Sequence, residues 1–143
     1  MFKIISIGQT SVEKAALDAA LNSELECERY NDHSHITNNE DGKLQTVNDS
    51  DGTLIIYFGS LTSNTEKTLT ACIHEKKPYK LIDAQLVGKK IVAAVIFSFI
   101  KSKNISILNV TGEPIDSSSG ARNAYTYTFD ALNQYLTFIT QNS

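Results

Sequence analysis

Thr53-Leu54-Ile55-Ile56-Tyr57-Phe58 runs into Gly59 and then into Ser60-Leu61-Thr62-Ser63-Asn64-Thr65. An apolar, β-rich run of this length is a buried strand, the glycine marks a sharp turn, and the polar residues behind it open a helix. The same order occurs twice more. Phe2 to Ile7 ends at Gly8, with Gln9 and Thr10 ahead of a helical Val12 to Leu21. Ile105 to Val110 is followed by Thr111 and Gly112 and then by a turn-rich stretch from Glu113 to Gly120. Thr10 with Glu13, and Ser63 with Glu66, have the spacing of a capping box, in which each side chain satisfies the other residue's backbone N–H.

Outward from these three units, Lys76-Lys77-Pro78 closes a helix that reaches about Glu75, and Pro78 to Asp83 reads as another short strand. Gln85 to Lys101 links two strands that run the same way. Such a crossover is filled by a helix, here a largely buried one around Ile91 to Ile100. The last helix spans about Ala121 to Thr140, with apolar residues at helical spacing. Cys27 to Tyr30 reads as a short edge strand, and Asn31 to Lys43 as a polar, turn-like segment. Strands alternating with helices predict an α/β fold, a Rossmann-like three-layer sandwich around a mostly parallel sheet of about five strands.

The 143 residues make one domain, 1–143, with 41% hydrophobic and 20% charged residues. A net charge of −3 with scattered Lys and Arg provides no footprint for nucleic acid. The longest apolar run falls far short of the roughly 20 residues of a membrane span. The chain opens directly as a strand rather than as a secretory signal, so a cytoplasmic location is expected. Cys27 and Cys72 have no neighbour at metal-ligand spacing and read as ordinary buried or half-buried thiols. His33 and His35 read as part of a solvated loop rather than a metal pair.

Right-handed crossovers gather the turns behind the strands at the carboxyl edge of the sheet, where open α/β sheets bind their ligands. Gly8-Gln9-Thr10, Gly59 to Thr65 and Asn109 to Gly112 should therefore line one crevice. Free amides and the helix dipole favour an anion there, while Glu13 and Glu66, closing those amides in capping boxes, work against one. Asp49-Ser50-Asp51 either orients a ribose or a metal, or caps a short helix or turn. Asp83, ending a strand at the same edge, either meets a ligand or caps the next helix. No Ser-His-Asp or Cys-His set assembles from the three histidines, so catalysis is the weaker reading.

Lys3 to Asp18, with Ile7-Gly8-Gln9-Thr10-Ser11-Val12-Glu13, resembles the opening of the molybdenum-carrier family of the SLOG superfamily of Rossmann-like proteins, approximately GGQTGVDRAALD. Val47 to Ile56 resembles that family's NVxDSDGTLI, and Gly59 to Thr65 its GxLTGGT. Lys77-Pro78 to Asp83 and Leu108-Asn109-Val110-Thr111-Gly112 are similar to its KPxxxID and LNVAG. The matches keep the family order from about Lys3 to Gly112.

The resemblance implies a Rossmann-like SLOG fold and non-covalent binding of a phosphate-bearing small molecule, either molybdenum cofactor or a nucleotide. The implied ligand residues are Gly8, Gln9 and Thr10 in the first turn, Gly59, Thr62, Asn64 and Thr65 in the second, and Asp49, Ser50, Asp51 and Gly112 on the remaining rim. A homo-oligomer is also implied. The departures fall in the same loops: Ser11, Ser63 and Asn64 stand where the family has glycine, and the family's basic W-x-PKG segment has no counterpart. They keep open the alternatives of a degenerate scaffold acting through protein contacts and, below it, of a nucleotide-cleaving hydrolase.

Overall fold

The computed structural model describes residues 2–30, 40–115 and 117–141. Among the described residues five strands and five helices alternate: β1 (Lys3–Ser6), α1 (Ser11–Asn22), β2 (Glu26–Arg29), α2 (Glu40–Asp49), β3 (Gly52–Tyr57), α3 (Ser63–His74), β4 (Tyr79–Asp83), α4 (Lys89–Ser102), β5 (Ile107–Gly112) and α5 (Ser118–Gln141). The strands form one sheet in the order β2-β1-β5-β3-β4, and every pairing is parallel. This is the α/β, Rossmann-like arrangement expected from the alternation of strand and helix.

The two faces of the sheet differ in chemistry. Helices α1 and α4 both pack on α5, whereas α2 packs on α3. The apolar core lies under the first group, where Ile4, Leu54, Ile56, Leu108 and Val110 meet Val12, Ala16, Ile96, Phe99, Leu132 and Leu136. Side chains alternate across a strand, so the residues between these face the other way. They include Thr53, Asn109 and Thr111, all buried. The Asn109 amide donates to Thr53 Oγ1 at 3.2 Å, and Thr53 in turn meets the buried Cys72 of α3.

Three helices stop in the same way, with a left-handed residue just past the end: Glu24 after α1, Lys76 after α3 and Asn104 after α4. The next amide then bonds back across the last turn, from Leu25 to Ala20 O, Lys77 to Cys72 O and Ile105 to Ile100 O. Ile105 therefore belongs to the end of α4, and β5 starts at Ile107 and continues through Gly112, later at both ends than the apolar run implied. Helix α4 likewise starts at Lys89 rather than Gln85. Asp83 holds a turn ahead of it, its backbone oxygen accepting the Leu86 and Val87 amides.

Two further boundaries differ from expectation. Helix α2 begins at Glu40, inside the segment read as turn-like, and α5 begins at Ser118. Residues 31–39, with His33 and His35, lie outside the described residues.

Candidate ligand crevice

At the carboxyl edge, β1 and β3 each leave the sheet through a glycine with positive φ, 75° at Gly8 and 90° at Gly59. This is a conformation other L residues adopt only at a cost. The first turn is also crowded, since a Cβ on Gly8 would lie 2.9 Å from Nε of Arg29. Arg29 donates from that nitrogen to Ile7 O at 3.3 Å and so lies over the turn. The second turn is tied by Asp83, whose Oδ1 accepts the Gly59 amide at 2.9 Å and the Gln85 amide at 3.0 Å. Asp83 thus joins two loops and is not the cap of α4, which is Gly88.

Helices α1 and α3 start on either side of the end of β5. The chain leaves β1 toward β2 and leaves β3 toward β4, so the sheet reverses its winding at this point, where open α/β sheets have their crevice. Gly112 permits the close approach, because a Cβ there would fall 2.4 Å from Cβ of Val12. Gln9, Thr10, Glu13, Asn64, Thr111, Gly112 and Pro114 line a cleft of about 200 Å³. Beyond Pro114, a second cleft of about 440 Å³ is walled by Phe58, Ser60, Thr62, Gln85, Glu113 and Ile115 among others.

Two buried carboxylates control the amides of this edge. Glu13 closes the capping box of α1: its Oε1 accepts the Gln9 and Thr10 amides at 2.9 Å each, and Thr10 Oγ1 accepts the Glu13 amide. At α3 the expected pair of Ser63 and Glu66 does not form. The N-cap is Thr62, extended at φ −94° and ψ 174°, and the residue three positions on is Thr65, whose Oγ1 accepts the Thr62 amide at 3.1 Å.

Glu66 is exposed and borders a separate groove with Leu44 and His74. The acid at the start of α3 is instead Glu113, which is 4% exposed. Its Oε1 accepts the Thr62 amide at 2.7 Å and the Thr65 hydroxyl at 2.5 Å, and its Oε2 accepts the Thr62 hydroxyl. Glu113 follows β5, the strand beside β3, and lies 51 positions from Thr62 in sequence, so no local spacing announces it.

Of the residues singled out from the sequence, Gln9, Thr10, Asn64 and Gly112 line the smaller cleft and Thr62 the larger. Thr65 is buried behind them on Glu113, and Gly8 and Gly59 shape the turns. Asp49, Ser50 and Asp51 are not part of this edge. They precede β3 and lie at the amino end of the sheet, opposite the crevice, because the strand runs away from them. Asp51 Oδ2 accepts the Ser106 and Ile107 amides at 2.9 and 2.8 Å, aligning the start of β5. Ser50 donates to Val47 O at 3.1 Å. Asp49 accepts from Tyr30 at 2.7 Å and from Gln45 at 2.9 Å; those hydrogen bonds hold its carboxyl below the usual range, while burial and then Asp49 push the Tyr30 phenol up. Among the described residues no group of three or more His, Cys, Asp or Glu is arranged to hold a metal ion, and no helix is long and apolar enough to cross a membrane.

The chain resembles a solved structure over nearly its whole length. The crystal structure named "Putative molybdenum carrier protein", from Syntrophus aciditrophicus SB, superposes with a TM-score of 0.82 at 28% sequence identity, covering 95% of each chain. No curated protein matches the chain. A family model described as the circularly permutated YpsA SLOG family matches residues 32–136, from ahead of α2 to the last turns of α5. With a matched region holding four of the five helices and three of the five strands, the chain belongs to the circularly permutated YpsA SLOG family.

Proposed function

We propose that this protein binds a phosphate-bearing heterocycle, a nucleotide or a pterin such as molybdenum cofactor, non-covalently in the carboxyl-edge crevice. The observation that carries this reading is the convergence of the α1 and α3 starts on the end of β5, where the winding of the sheet reverses. The structural relative is named a molybdenum carrier, which supports the molybdenum-cofactor form of this reading. The crevice offers acceptors at Glu13 and Glu113, which suit the N–H and amino groups of a nucleobase or pterin ring. Arg29, lying over the Gly8 turn ahead of Gln9, adds a positive charge near that end of the crevice.

The test is a thermal-shift screen against nucleoside phosphates, nucleotide sugars and molybdenum cofactor, with Gly59 to Thr65 loop variants as controls. A ligand at a hundred times its Kd stabilises the folded state by about 2.7 kcal/mol, and loop variants should lose that gain. The second reading is a scaffold that acts through protein contacts. It draws on the internal satisfaction of the Gln9, Thr10 and Thr62 amides by Glu13 and Glu113. Absence of any shift at millimolar ligand would favour that scaffold.

A further inference from the structure

Pro114 borders both clefts of the carboxyl edge, and Glu113 forms part of the wall of the larger one. Pro114, with Glu113 and Ile115 beside it on the larger side, is therefore a partition between a space of about 200 Å³ and one of about 440 Å³. Small-molecule pockets usually enclose about 300–1,000 Å³. The cleft beside α1 is below that range, and it reaches ligand size only if the partition moves.

What holds the partition is the Glu113 side chain. It belongs to the connection between β5 and α5, yet the hydrogen bonds to its carboxylate come from the first turn of α3, from the Thr62 amide and from the hydroxyls of Thr62 and Thr65. Three donors converging on two oxygens is the arrangement that a bound oxyanion would receive at a helix start. One residue thus fills the place of an anion and fixes a wall of the crevice.

We infer that Glu113 is a specificity-determining latch: it holds the segment after β5 against α3, keeps the crevice divided, and must be displaced before a ligand's phosphate reaches the first turn of α3. The inference rests on the reading that this crevice takes a small ligand. With the latch closed, a nucleoside or free heterocycle enters the larger cleft without hindrance, whereas a mononucleotide has to open it.

Glu113→Ala and Glu113→Gln separate the latch from its charge. Glutamine keeps the length and an acceptor for the Thr62 amide; alanine removes both. Adenosine and AMP are titrated calorimetrically into the wild-type chain and each variant, with folding checked by circular dichroism. The Ala variant should bind AMP at least about tenfold tighter than wild type, the Gln variant should stay within about threefold of it, and adenosine should change less than AMP in both.

An equal gain in the Gln variant would overturn the latch, since charge alone would explain the exclusion. If Glu113→Ala does not fold, Thr65→Val, which removes one donor to the carboxylate, must shift AMP affinity in the same direction, and no shift overturns the inference. AMP binding that is unchanged across folded variants overturns the latch and leaves the proposed function standing. Failure of every folded variant to bind either probe overturns the latch and, with it, the nucleotide form of the proposed function.

Discussion

Glu13 and Thr111 are 98 positions apart and share a 2.8 Å hydrogen bond from the threonine hydroxyl to Oε2. The other oxygen of the same carboxylate accepts the Gln9 and Thr10 amides. One side chain, 3% exposed, therefore joins the exit of β1, the start of α1 and the end of β5. Glu13→Ala leaves two amides and a hydroxyl without this partner, and should cost about 2–4 kcal/mol in urea denaturation, against about 1 kcal/mol for Thr111→Val. Because the two residues share one bond, the double variant should lose less than the sum of the single losses.

Gly112 is needed for space rather than for backbone conformation. A methyl group there would lie 2.4 to 2.8 Å from three carbon atoms of Val12, on the helix that closes the core. Gly112→Ala should destabilise the fold by about 1–3 kcal/mol through overpacking. Val12→Ala in the same chain should recover part of that loss, a coupling that denaturation of the single and double variants measures. At Gly88, where an added Cβ meets nothing within 4 Å, the same substitution should cost at most about 1 kcal/mol, from the weaker N-cap alone.

The parallel sheet was legible because the chain around β1, β3 and β5 declares itself locally, through an apolar run, a glycine and polar residues behind it. Helix α2 was not legible: Gly42 and the acidic residues around it give no apolar stripe, and its inward side chains Thr46 and Val47 form too short a pattern. At the site, the Thr10 and Glu13 box was readable from spacing within one turn. Glu113 was hidden because its partners come from another unit and the tertiary fold alone brings them together. Asp49-Ser50-Asp51 was misplaced for a different reason: residues that enter a strand of a parallel sheet lie at its amino edge, opposite the turns that leave the strands, and their position ahead of Thr53 already decides this.

That placement predicts a separation of stability from binding. Asp51→Ala removes the acceptor of the Ser106 and Ile107 amides and should cost about 1–2 kcal/mol. Ligand affinity at the carboxyl edge should remain within about twofold of wild type, well under the tenfold step that 1.4 kcal/mol of lost binding energy would give. Calorimetric titration at a temperature where the variant is folded distinguishes the two effects. A large affinity loss would mean that the amino edge contributes to the site after all.

Two tyrosines of α5 link stability to alkaline pH. Hydrogen bonding to Asp18 pushes the Tyr125 phenol up to about 12, and burial followed by the charge of Asp83 does the same for Tyr127. Tyr127 donates to Val87 O at 2.7 Å, ahead of α4. A folded pKa above the unfolded value of about 10 favours the protonated phenol in the fold. The resulting stability is complete below pH about 10 and is lost as the pH rises toward 12. Absorbance at 295 nm should show late-titrating phenols, of which the Tyr125→Phe, Tyr127→Phe variant loses two while those of Tyr30 and Tyr135 remain. The stability advantage of wild type over that variant should shrink above pH about 10.

The thiols report on the seating of α3. Cys72 is fully buried on the inward side of α3, near Thr53, and burial pushes its thiol up. Cys27 lies on the edge strand β2, half-buried, and burial raises its thiol as well. A thiol reacts as the thiolate and only where reagent reaches it. With a disulfide reagent at pH 8, Cys27 should label slowly in the folded protein, whereas Cys72 should label only as fast as the domain opens. Urea should therefore accelerate Cys72 far more than Cys27, and Cys27→Ser should remove the native-state signal. Equal labelling of both thiols without denaturant would mean that α3 lifts from the sheet on its own. The first turn of α3, with Thr62 and Thr65, would then come away from Glu113 without any ligand to displace it.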